Sequence, residues 1–196
     1  VEGRTEEDPE WKSGHPVLFP NILKQGGGGR YMLQWRVPVD DVTTYHIDYN
    51  VFLPPQGVTV PDKDGVPVHE VPLFDKETGR FLTESIISQD FFVWASQGAV
   101  VDRSQEHLAG SDRGVLLYRR LLRQQMEIAL DGGDPINVFR DPEQNDCLGL
   151  PHESNTYMGD ARAMLETGDE ASIRYGPRVP DILELMSSGA NQVPAS

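Results

Sequence analysis

Residues Ser85 to Trp94, "SIISQDFFVW", set one carboxylate, Asp90, among Ile86, Ile87, Phe91, Phe92, Val93 and Trp94. If the segment is helical, Ile86, Ile87, Val93 and Trp94 lie three or four residues from Asp90 and share its side. That spacing predicts an Asp90 that projects from the apolar side toward a core. A buried, unpaired carboxylate costs several kcal/mol and would sooner take up a proton. It therefore calls for an arginine, a set of hydrogen-bond donors, a proton, or a metal ion.

The other groups capable of chemistry offer little. None of the five histidines, His15, His46, His69, His107 and His152, pairs with another four residues away, so no helix presents two imidazoles to a metal. Each reads as a surface or packing histidine. No Gly-x-Ser-x-Gly nucleophile elbow is present. Asp102, Arg103 and Glu106 form a charged cluster suited to a helix cap or an ion pair. The single cysteine, Cys147, excludes an internal disulfide, a four-cysteine zinc site and a cysteine-held iron–sulfur cluster within these residues. It fits a reducing, cytoplasmic setting. The four glycines Gly26–Gly29 lack the following Lys-Ser/Thr of a phosphate-binding loop and read as a turn.

The elements that must position these groups follow from pattern. The 196 residues suffice for one ordinary core, and the excess of 31 acids over 17 bases, a formal charge of −14, argues against a nucleic-acid backbone as partner. No apolar run reaches membrane-spanning length. Three aromatic and β-branched segments predict strands near 16–23, 30–38 and 43–53 in an antiparallel meander. In the third, Tyr45, Ile47, Tyr49 and Val51 alternate with His46, Asp48, Asn50 and Phe52, giving one mostly apolar and one mostly polar face. Residues 54–82 form a long proline-rich loop. Helices are predicted near 84–96, with Thr83 as N-cap, and near 111–131, stopped by Gly132-Gly133. In the second helix Leu117, Leu121 and Ile128, with Leu116, Leu122 and Met126, predict a broad buried stripe, and Arg119, Arg120 and Arg123 the wet side. The last stretch, "GPRVPDILELMSSGANQVPAS", reads as an extended tail with a short helical turn. The opening "VEGRTEEDPEWKSG" reads as a linker entered in mid-protein.

Two longer stretches, "GHPVLFPNILKQGGGGRYMLQWRVPVDDVTTYHIDYNVF" and "ISQDFFVWASQGAVVDRSQEHLAGSDRGVLLYRRLLRQQMEIALDGGDP", carry a resemblance. They resemble the C-terminal part of the catalytic domain of Rieske-type aromatic ring-hydroxylating oxygenase α subunits of the phthalate dioxygenase and phenoxybenzoate dioxygenase group. The likeness covers residues 14–56 and 84–136. It implies an α+β helix-grip fold, an antiparallel sheet packed on a long helix. It implies a mononuclear Fe(II) held by two histidines and a carboxylate, the carboxylate being Asp90 in the Gln89-Asp90 step, with Phe91 and Trp94 as candidates to line an aromatic substrate pocket. It further implies O2 and an aromatic acid as substrates, an NAD(P)H-dependent reductase as partner, and assembly as homotrimers or larger. The family's iron-histidine motif and its Rieske [2Fe-2S] cysteine–histidine pairs are not in these residues; near "NDCLGLPH" the spacing of Asn145, Asp146 and His152 is wrong. The expectation is that residues 1–196 are the C-terminal portion of an oxygenase catalytic domain, inactive alone. Against it stand two other readings: a helix-grip module that binds an aromatic or lipid ligand without catalysis, and an accessory structural subunit.

Overall fold

The computed structural model describes residues 5, 7–8, 16–27, 29–62, 65–147, 149–150, 161–168 and 171–190. Four strands, β1 (Val17–Leu18), β2 (Ile22–Gly27), β3 (Arg30–Pro38) and β4 (Thr44–Phe52), form one sheet in sequential order. Every pairing is antiparallel, so the meander expected from the pattern is present, and with the helices it makes an α+β fold. The first expected strand, near 16–23, is split. The chain turns back at the cis Phe19-Pro20 bond, and Val17 pairs with Leu23. The glycines expected to form a turn are partly strand. Gly26 and Gly27 pair with Tyr31 and Arg30, and Gly29 takes a positive φ at a turn position. No side chain would fit at Gly26, where a Cβ would stand 2.6 Å from Tyr31 Cδ1 and 2.8 Å from the Arg30 carbonyl oxygen.

Helix α1 (Ile86–Ser96) is where it was expected, but its cap is different. Ser85, not Thr83, caps it: the Ser85 hydroxyl accepts from the Ser88 backbone N–H at 3.2 Å and meets the Ser88 hydroxyl at 2.7 Å. Both serines are buried, so this exchange satisfies polar groups that water cannot reach. Two single 3-10 turns, Arg103–Gln105 and Gly110–Asp112, lead to α2 (Arg113–Leu130). Asp102 caps the first through Ser104, and Glu106 accepts two hydrogen bonds from Arg119, so the charged cluster has the capping and ion-pair roles anticipated. Gly132, at positive φ, and Gly133, whose N–H donates to the Ile128 carbonyl at 2.9 Å, end α2 as the sequence predicts.

The leucine stripe of α2 is not buried as a whole. Leu121 and Leu122 are half-buried, whereas Leu116, Leu117, Met126 and Ile128 are exposed. Tyr118 donates to the Pro20 carbonyl and meets the Phe19 ring, buried Gln125 accepts from the Ile136 N–H, and Arg119 pairs with Glu106, so these contacts tie the helix to the chain on either side of it.

Three short helices follow: α3 (Ala161–Thr167), α4 (Ala171–Arg174) and α5 (Val179–Ala190). The expected extended tail is thus a twelve-residue helix. Val179, Ile182, Leu183 and Met186 recur at helical spacing and close a small core with Ala161, Leu165 and Ile173, against which Phe52 and Met164 pack. Pro180 falls in the first turn, where its missing N–H has no intrahelical acceptor to lose. The described residues of 54–82 are irregular apart from one bridge, Phe74 to Phe81. No helix of the described residues is long and apolar enough to cross a membrane.

The two faces of the sheet have opposite fates. Arg30, Met32 and Gln34 on β3 are buried, and His46, Asp48, Asn50 and Phe52 on β4 are partly buried on the same face. The aromatic and aliphatic face is the open one: Tyr45, Ile47 and Tyr49 are exposed. Elements therefore pack on the polar side, and that side carries the candidate site.

Candidate functional site at the helix and sheet junction

The register of β3 and β4 sets the polar row. Arg36 lies across from His46, Gln34 from Asp48, Met32 from Asn50 and Arg30 from Phe52. Such direct cross-strand pairs stand close enough for their side chains to interact. At one end of the row Arg30 is buried. Its Nε donates to Asn50 Oδ1 at 3.0 Å, and its guanidinium also meets the Met32 and Met164 sulfurs. This end lies beside the α3–α5 core.

The other end lies under α1. The His46 ring stands 5.2 Å from Phe91 and 5.3 Å from Trp94, centre to centre. Phe91 and Trp94 meet edge to face at 5.6 Å. The Arg36 guanidinium sits 5.3 Å from the Trp94 ring centre, a cation–π distance, and donates to Gln34 Oε1 at 2.8 Å. Beneath this aromatic roof His46 Nε2 and Asp48 Oδ1 are 2.9 Å apart. His46 Nδ1 is buried and has no hydrogen-bond partner among the described residues. On the outer side of α1, Phe92 packs on Phe81, which packs on Phe74, so the long loop is tied to the same helix.

Phe91 and Trp94, named from the sequence as pocket candidates, are thus brought together. Asp90 is not buried. The helix turns Ile87 and Ser88 inward, and Asp90 lies on an exposed side with Ile86 and Val93. The expectation that Asp90 points into a core is corrected here: apolar neighbours in sequence do not bury a residue when no second layer covers their side of the helix. Its carboxylate makes no hydrogen bond or ion pair with the described residues. Among those residues no group of three histidine, cysteine, aspartate or glutamate side chains could hold a metal ion. A carboxylate is a suitable hard ligand for ferrous iron, but alone it supplies one donor of the three such a site needs.

His69 and His107 are exposed, as surface histidines were expected to be, while His15 and His152 lie outside the described residues. Cys147 is free and exposed. The residue that sequence reasoning passed over is His46. Its signal was the His46-x-Asp48 spacing, which on a strand places both side chains on one face.

Comparison with known proteins gives the class to which this arrangement belongs. The chain is homologous to part of the Rieske-type aromatic oxygenase subunits. It is 32% identical over 169 residues, 85% of its length, to the 5,5'-dehydrodivanillate O-demethylase oxygenase subunit of Sphingobium sp. (strain NBRC 103272 / SYK-6). It is 34% identical over 128 residues, 62% of its length, to the phenoxybenzoate dioxygenase subunit alpha of Ectopseudomonas oleovorans. The chain spans 39% and 29% of the lengths of these relatives. No family model and no solved structure matches it.

Proposed function

We propose that this chain forms the sheet-and-helix part of a helix-grip catalytic domain in a Rieske-type non-heme iron oxygenase that hydroxylates or demethylates an aromatic acid. The observation that supports this most is the carboxylate of Asp90, exposed and without a partner among the described residues, one helical turn before the aromatic Trp94, in a chain homologous to oxygenase subunits. Asp90 would supply the carboxylate ligand to the mononuclear iron, with two histidines from residues outside this chain completing the set. The iron, when bound, supplies O2 activation with electrons that reach it from NAD(P)H through a reductase and a Rieske [2Fe-2S] cluster.

The residues of this chain have other tasks. Phe91 and Trp94 would offer apolar surface to an aromatic ring and keep water from one side of it. The β3–β4 polar row would hold the helix that carries Asp90 at a fixed height above the sheet. The names of the relatives favour an aryl ether or biaryl acid as substrate, and the family's homotrimeric or larger assembly is proposed with it.

The test is Asp90→Ala in the complete subunit. Mononuclear iron and substrate-dependent O2 uptake should both be lost, while the Rieske absorbance stays unchanged. Asp90→Asn should keep the shape, lose the charge, and fail likewise. Iron content and turnover equal to the unmutated protein would make Asp90 a surface carboxylate and remove the assignment.

A further inference from the structure

We propose that His46 is the polar anchor for the substrate, its Nδ1 accepting a hydrogen bond from a hydroxyl group on the aromatic ring. This rests on the oxygenase reading and adds the group by which that site would recognise its ligand.

Three observations converge on it. The first is the dyad. His46 and Asp48 keep only 13% and 10% of their side-chain surface, and Nε2 stands 2.9 Å from the Asp48 carboxylate. A carboxylate can only accept, so the proton between them belongs to Nε2. In the neutral ring Nδ1 is then left with a bare lone pair, which is an acceptor and not a donor. The second is that this nitrogen is buried and unpartnered among the described residues. Leaving a buried acceptor unsatisfied is costly, and a ligand that supplies the missing donor recovers that cost.

The third is location. The imidazole is walled by Phe91 and Trp94, from the helix and the turn that carry Asp90. Trp94 covers the ring, yet 39% of its own surface is exposed. A ligand approaching the imidazole from this side displaces the indole from its contacts with His46, Phe91 and Arg36, a cost offset by the hydrogen bond gained at Nδ1 and by stacking of the indole on the incoming aromatic ring. Specificity would follow from the same lone pair. A ring hydroxyl donates to it, whereas the methyl ether of that hydroxyl presents only acceptors and would leave Nδ1 unpaired.

The test measures binding by calorimetry in the complete subunit, without reductase or NAD(P)H, using para-hydroxybenzoate and para-methoxybenzoate. The unmutated protein should bind the phenol about tenfold more tightly than the ether. His46→Gln places an amide near Nε2, keeping the bond to Asp48 but losing Nδ1, and should bind the two equally. His46→Asn places an amide near Nδ1 and should restore part of the preference. Both variants keep a polar group in the dyad, and thermal denaturation establishes that each is folded. Equal binding by the unmutated protein, or an undiminished preference in His46→Gln, would overturn the proposal. Because binding is read without turnover, a failure of the oxygenase reading would show separately, as phenol-selective binding with no O2 uptake under any electron donor.

Discussion

The imidazole of His46 and the indole of Trp94 stand 5.3 Å apart, ring centre to ring centre, and Arg36 reaches the same indole from the neighbouring strand at 5.3 Å. Trp94, with Phe91, thus seats the Asp90 helix on the β3–β4 polar row. Trp94→Ala should destabilise the fold by about 1–3 kcal/mol, less than a fully buried tryptophan would cost because part of its surface is already in water. Trp94→Phe should recover most of the loss. Urea denaturation of the two variants would check this, and an unchanged midpoint for Trp94→Ala would mean that the helix is seated by other contacts.

Two glycines should respond in opposite directions to the same substitution. At Gly26 a methyl group would stand 2.6 Å from Tyr31 Cδ1 and 2.8 Å from a backbone carbonyl that cannot move without breaking the hairpin. Gly26→Ala should cost about 1–3 kcal/mol. Gly114 lies in the first turn of α2 with nothing near its would-be Cβ. Gly114→Ala should stabilise by about 0.4–1 kcal/mol, chiefly by restricting the unfolded chain. Thermal melts of both variants would reveal the sign.

The Glu106–Arg119 pair makes stability depend on acid. Hydrogen bonds from the Arg119 guanidinium hold the Glu106 carboxyl below its ordinary value, and the charges of Arg119 and Arg103 add to this. A carboxyl depressed in the folded state contributes stability that is fully present above its unfolded value, near 4.5. The contribution is lost as pH falls through the folded value. Glu106→Gln should therefore lower the melting temperature at neutral pH and leave a shallower decline toward acid. The effect should be small and should shrink further in high salt, because the pair is partly open to solvent. Parallel melting curves for the two proteins across the acid range would exclude this pair as a source of the acid dependence.

Much of the scaffold follows from local pattern. The period-two alternation of residues 44–52, the stop at Gly132-Gly133 and the capping and pairing roles of Asp102 and Glu106 all depend on neighbours close in sequence. The N-cap shows where that logic ends. Thr83 and Ser85 are both good capping residues, and burial of Ser85 beside Ser88 decides between them. Helix α5 shows it again: the stretch reads as an extended tail with a short helical turn, and packing of Val179, Ile182, Leu183 and Met186 against Ala161, Leu165 and Ile173 accompanies the full helix.

By itself, then, the sequence determined an antiparallel sheet, two principal helices, an acidic chain, and a carboxylate in a stretch that resembles an oxygenase iron ligand. Only the tertiary structure decided which side of each element meets another. It put the polar row of β3 and β4 under the helix, left the Tyr45–Ile47–Tyr49 face open, and turned Asp90 outward with Ile86 and Val93. It also joined His46 to Phe91 and Trp94, residues far apart along the chain. The reason is physical. Periodicity states which residues share a side of a strand or helix, but burial is a property of two surfaces together. The second surface comes from chain that is distant in sequence, and no local spacing specifies it.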